Sequence, residues 1–162
     1  MQNTTKALLL SSLLLFSAGN AISDESSSEQ PMIKPFLLEK SYFEGKGLTK
    51  GDHAEFDGEG ISSDKPPVPF STHAFHVGKI MVSIYESEPT KVYIDGMPFD
   101  EYVQILEGRL ILTTDDGKSY EFKAGDSLMV PQGFKGYWEM PEKYRELIII
   151  NTDYGETSAE GS

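Results

Sequence analysis

From Val77 to Asn151 the chain is a succession of short β-type runs, each closed by a turn residue, with no amphipathic helix between them. Lys79–Glu86, Lys91–Ile94, Glu101–Glu107, Arg109–Thr114, Tyr120–Lys123, Ser127–Val130, Gly136–Met140 and Arg145–Asn151 are the predicted strands. Asp115-Asp116-Gly117 predicts a hairpin turn, because glycine accepts the positive φ that such turns need. Short strands this closely spaced predict an all-β sandwich or barrel rather than a parallel βαβ sheet.

The 162 residues suffice for one such domain plus an N-terminal export segment. A formal net charge of -12 argues against nucleic acid or an anionic membrane surface as partner, since like charges repel at both. Cysteine is absent, which excludes disulfides, thiol catalysis, iron–sulfur ligation, cysteine–zinc sites and a lipid-anchored N-terminal cysteine.

The N-terminus reads as a cleavable signal peptide. Lys6 supplies positive charge, and Ala7 to Phe16 is an apolar run too short to span a bilayer. Gly19 and Ala21 offer small residues for cleavage after Ala21, so a periplasmic or secreted location is expected, with no membrane association after cleavage. Ile22 to Gln30 is a Ser- and Glu-rich leader. Pro31 to Phe43 carries scattered apolar residues and is expected to be an arm that packs on the domain or on a neighbouring subunit, which also allows a homodimer. Gly45 to Gly60 is loop-like, and Thr157 to Ser162 a small polar tail.

Two segments carry a more specific pattern. Glu101-Tyr102-Val103-Gln104-Ile105-Leu106-Glu107-Gly108 has Glu, six residues, Gly; Gly125 to Gly133 has Gly, five residues, Pro-x-Gly. Together with Tyr85-Glu86-Ser87-Glu88-Pro89, Thr113 to Gly117, Pro131 to Glu139 and Arg145, they make the stretch from about Ser83 to Ile150 resemble the ureidoglycine aminohydrolase-like cupin_3 (DUF861) family. The resemblance implies a single-domain cupin, a small jelly-roll barrel often found as a dimer. It divides the chain into signal peptide (1–21), leader and arm (22–65), cupin domain (66–155) and tail (156–162). The positions where cupins carry metal-binding histidines hold none: of the four ligands only Glu101 survives, and Gly136 stands where the last imidazole would be. No metal or cofactor is therefore expected, because transition metals need imidazoles or several carboxylates to compete with water. The family commonly runs Arg-Lys into its last strand, whereas this chain has Arg145-Glu146.

The expected function is binding of a small polar molecule inside the barrel, with a lyase, isomerase or hydrolase reaction as the alternative. Strand alternation turns Glu101 inward with Val103 and Ile105. An unpaired acid there has a raised pKa and suits proton transfer; it also reads as a hydrogen-bonded architectural acid at the barrel mouth. Tyr85, Glu86, Trp138 and Arg145 are the further pocket candidates, Glu86 as a second carboxylate that would join Glu101. Of Tyr137 and Trp138, neighbours on one strand, one should enter the core. His73 and His76 read as loop histidines on opposite faces. With Asp95 and Glu101 they form the remaining option for a non-standard metal site.

Overall fold

The computed structural model describes residues 34–51, 60–63, 66 and 68–152. The signal peptide, the leader, the first residues of the arm, residues 52–59 of the loop from Gly45 to Gly60 and the polar tail lie outside the described residues.

One short helix and eleven strands follow one another: α1 (Lys40–Phe43), β1 (Thr49–Lys50), β2 (Ile61–Ser62), β3 (Phe70–Val77), β4 (Ile80–Ser87), β5 (Thr90–Asp95), β6 (Glu101–Glu107), β7 (Arg109–Thr114), β8 (Ser119–Lys123), β9 (Ser127–Val130), β10 (Lys135–Met140) and β11 (Tyr144–Asn151). Two antiparallel sheets result, ordered β1-β3-β4-β11-β6-β9 and β2-β5-β10-β7-β8. This is the all-β jelly-roll arrangement expected. Among the described residues, however, no strand pairing closes the two sheets into one barrel.

The core lies between the sheets, and inward positions from both fill it. Val103 and Ile105 of β6, Tyr144 and Ile150 of β11 and Tyr85 of β4 meet Ile94, Leu110, Leu112, Trp138 and Met140 of the second sheet. Alternation produces this division, because every second side chain of a strand points to the same face. Gly108, the glycine of the first motif, ends β6 at φ 80°, and a Cβ there would fall 2.3 Å from the Lys143 carbonyl oxygen. Only glycine lets the chain turn against the approach to β11.

Three strands escape the sequence reading: the two-residue β1 and β2, and one long strand. Phe70–Val77 is β3, paired with β4 along its length, so His73 and His76 are strand residues rather than loop residues. Their spacing of three should set them on opposite faces. A one-residue bulge between Ala74 and His76 shifts the register instead, placing His73 across from Ile84 and His76 across from Val82. Both partners lie on the outer face of β4, so the bulge brings both imidazoles to the same side.

The described part of the arm covers that outer face. Its β1 pairs with β3. Tyr42 stacks on His73 with ring centroids 3.5 Å apart, and Phe43 packs near Phe75 at 5.6 Å. The arm thus packs on its own domain.

Candidate functional site

Register decides which polar side chains share the interior. Across β11 and β6, Ile150 faces Glu101, Ile148 faces Val103 and Glu146 faces Ile105. Across β4, Tyr85 faces Glu146 and Ser87 faces Tyr144. Residues opposite one another in an antiparallel pair share a face. Glu101, Glu146, Tyr144, Tyr85, Ser83 and Ser87 therefore all point between the sheets. Glu101 is 7% exposed and Glu146 3%.

The two acids are held differently. Tyr144 donates its hydroxyl to Glu146 Oε2 at 2.6 Å. Glu101 makes no hydrogen bond or ion pair among the described residues. No fully enclosed side-chain oxygen or nitrogen among those residues lacks a partner. The Glu101 oxygens must then still reach solvent-sized space, despite the burial of the residue.

Burial dominates the electrostatics. It pushes the Glu101 carboxyl up to about 7. Burial, and after it the charge of Glu101, holds Glu146 well above the ordinary carboxylate range, while the Tyr144 hydroxyl draws it partly back. Tyr144 and Tyr85 are raised first by burial, and the charge of Glu146 adds to both. Burial disfavours ionisation at both carboxyls, and at Glu146 the charge of Glu101 adds to it. Such a pair can accept a hydrogen bond from one member and donate from the other.

Other expected site residues separate. Trp138 enters the core, whereas Tyr137 turns outward against Tyr93 at 5.2 Å, with Lys91 4.8 Å above its ring. Tyr85 is interior. Glu86 and Arg145 are corrections: both project to the outer face, since Arg145 lies across from Glu86 while their neighbours Glu146 and Tyr85 face inward. There Arg145 Nε donates to Glu86 Oε2 at 2.8 Å, Nη1 donates to the Phe43 carbonyl at 3.3 Å, and Nη2 also meets Glu107. This cluster anchors the arm and does not reach Glu101.

The second carboxylate of the interior is thus Glu146, which sequence reasoning did not select. Its signal was present, as the acid standing where the family commonly has lysine. The register with β6 shifts between Arg145 and Glu146 because Leu106 of β6 has no residue opposite it, whereas β11 pairs with β4 without interruption. No residue pattern in β11 announces which of Arg145 and Glu146 faces inward, since both faces of the strand carry apolar residues.

The option of a non-standard metal site is corrected as well. His73 and His76 lie on the outer face, Asp95 pairs with Lys135 at 2.7 Å on the surface, and Glu101 is interior. These four cannot converge on one ion. Gly136 lies at φ 149°, and a Cβ there would fall 2.2 Å from the Thr113 carbonyl oxygen. The backbone of β10 therefore leaves no room for the imidazole that the resembled family places at this point.

Comparisons with known proteins agree with this fold. Residues 77–146 match the family model of the EutQ-like cupin domain. A DUF861-family protein of unknown function from Pseudomonas syringae pv. tomato superposes with a TM-score of 0.52 at 17% identity, over 64% of this chain and 44% of that one. EutQ from Clostridium difficile gives a TM-score of 0.49 at 17% identity, over 56% of this chain and 73% of that one. A DUF861-family protein from Thermotoga maritima shares 32% identity over 40% of this chain and 73% of its own, with a TM-score of 0.38. No curated protein matches the chain.

Proposed function

Since residues 77–146 form a EutQ-like cupin domain, we propose that the chain binds a small polar molecule between its two sheets, anchored on Glu101. The observation that carries this is an acid 7% exposed, on the inner face, without a protein partner. Removing a polar group from water without a hydrogen bond costs on the order of 2–7 kcal/mol, and Glu101, with its oxygens in limited contact with solvent, bears part of that cost. A ligand that hydrogen-bonds to it recovers part of that cost. Aromatic walls are available in Trp138 and Tyr85, which lie in the same core.

The test is a thermal-shift screen of small polar molecules on the mature protein, with hits followed by titration calorimetry. Glu101→Gln is expected to weaken each true hit at least tenfold, roughly 1.4 kcal/mol. Glu121→Gln, an exposed acid of the second sheet, should leave the hits unchanged. Hits indifferent to Glu101 would refute the reading.

One observation favours a catalytic variant of this function: a carboxyl near 7 is suited to both giving and taking a proton at neutral pH. If a ligand is turned over, Glu101→Gln should lower turnover by much more than the tenfold it costs in binding.

Export belongs to the same proposal. Lys6, the apolar run from Ala7 to Phe16 and the small residues up to Ala21 support it. Mass spectrometry of the protein recovered outside the cytoplasm should find a chain beginning at Ile22. Recovery of the full-length chain in the cytoplasm alone would contradict it.

A further inference from the structure

We propose that the Glu101–Glu146 pair receives a small organic ammonium ion. This rests on the binding function proposed above and names its ligand class.

Three observations converge. Glu101 is more than nine-tenths buried, points into the interior and has no protein partner among the described residues. The two charged residues of that inner face, Glu101 and Glu146, are both acids. Basic side chains on and beside β5 and β11 are engaged elsewhere: Arg145 with Glu86 and Glu107, Lys143 with Glu86, and Lys91 with Glu139. The protein thus builds a doubly acidic interior without supplying its counter-charge. A cation brought by the ligand supplies it, through charge-assisted hydrogen bonds.

The surroundings select an organic cation over a metal ion. Glu101 and Glu146 lie four residues apart in register along β6, separated on their shared face by Val103, Ile105 and Ile148. That is about 13 Å between backbones at 3.3 Å per residue. An apolar surface between two acids suits hydrocarbon carrying one or two ammonium groups. Tyr85, Tyr144 and Trp138 belong to the same core, and aromatic rings attract cations to their faces. A calcium-type ion instead needs six to eight oxygen ligands gathered around a point. Among the described residues no third His, Asp or Glu joins the pair.

The experiment uses the mature chain at pH 8 and constant ionic strength. Propylammonium chloride and 1,4-diaminobutane are titrated against 1-propanol, sodium propionate, calcium chloride and manganese chloride. Thermal midpoints and calorimetric heats are the readouts. The ammonium probes are expected to raise the midpoint and to release protons, seen as heats that change with the ionisation enthalpy of the buffer. Glu101→Gln and Glu146→Gln should each lower ammonium affinity at least tenfold, with circular dichroism confirming the fold. Three results would overturn the proposal: no response to either ammonium probe at millimolar concentration, equal or better binding of propanol or propionate, or a response confined to the metal salts. Neutral molecules that bind in a Glu101-dependent way would sink the ammonium assignment and leave the broader binding function standing.

Discussion

Arg145→Ala is expected to lower the free energy of unfolding by about 3–5 kcal/mol, the usual cost of removing one partner from a buried ion pair. Arg145 is 8% exposed. Its guanidinium meets Glu86 Oε2 through both Nε and Nη2 at 2.8 Å, and through Nη1 it holds the Phe43 carbonyl at 3.3 Å. Truncation leaves Glu86, whose side chain is largely buried, with only Lys143 at 3.3 Å. Glu107 is too exposed for its contact to add much. The arm should loosen along with the pair, because the guanidinium also packs against Gly45, where a Cβ would come within 2.6 Å of it. Urea unfolding measures the loss, and hydrogen exchange over residues 40–50 measures the loosening. A double-mutant cycle with Glu86→Gln isolates the pair. A loss below about 1 kcal/mol would place Arg145 among ordinary surface ion pairs and contradict the buried clamp.

Stability should fall as pH rises from 4.5 toward 7 and above. The Glu101 carboxyl sits near 7 in the folded chain, against an ordinary value of 4.5. Below 4.5 the group is protonated in both states and costs nothing. Above 4.5 the unfolded chain ionises while the folded chain retains its proton, so the unfolded state gains. The loss levels off once the folded group ionises as well. At about 1.4 kcal/mol per pH unit, this window corresponds to about 3 kcal/mol. Glu146, raised in the same direction, carries the decline further. His73 opposes it, because desolvation against Tyr42 holds its ring below 6.5 and penalises the folded state at lower pH. Comparison with Glu101→Gln cancels that contribution, since His73 is common to both proteins. Urea midpoints measured from pH 4.5 to 8 should decline more steeply in the parent than in the variant. Parallel profiles would mean that Glu101 is solvated or paired in solution.

Both expectations rest on faces that strand alternation assigned with uneven success. For β6 the period of two was enough, because that strand is regular through Glu101, Val103 and Ile105, and its apolar positions repeat without interruption. Tyr137 and Trp138 were legible as a pair, but which ring entered the core was not. Hydrophobicity ranks two large aromatics too closely to decide, and the pairing of β10 with β5 and β7 settled it. Glu86 and Arg145 were placed on the wrong side. They lie across from one another on adjacent strands, and nothing local ties either strand's facing to that of β6. The histidines of β3 were misassigned for a related reason. A bulge consumes one residue without leaving a compositional mark, and every side chain beyond it changes face.

Local chemistry sufficed for the strands and turns from Lys79 onward and for the inward set of Glu101, because propensity, turn geometry and a period of two act over a few residues. The partner of Glu101 is a different kind of fact. Glu146 reaches the same interior from a strand forty-five positions away in the numbering, through a register that exists only once β11 has paired with β6 and β4. Long-range pairing energies select that register, and they depend on the whole sheet rather than on any single stretch of residues.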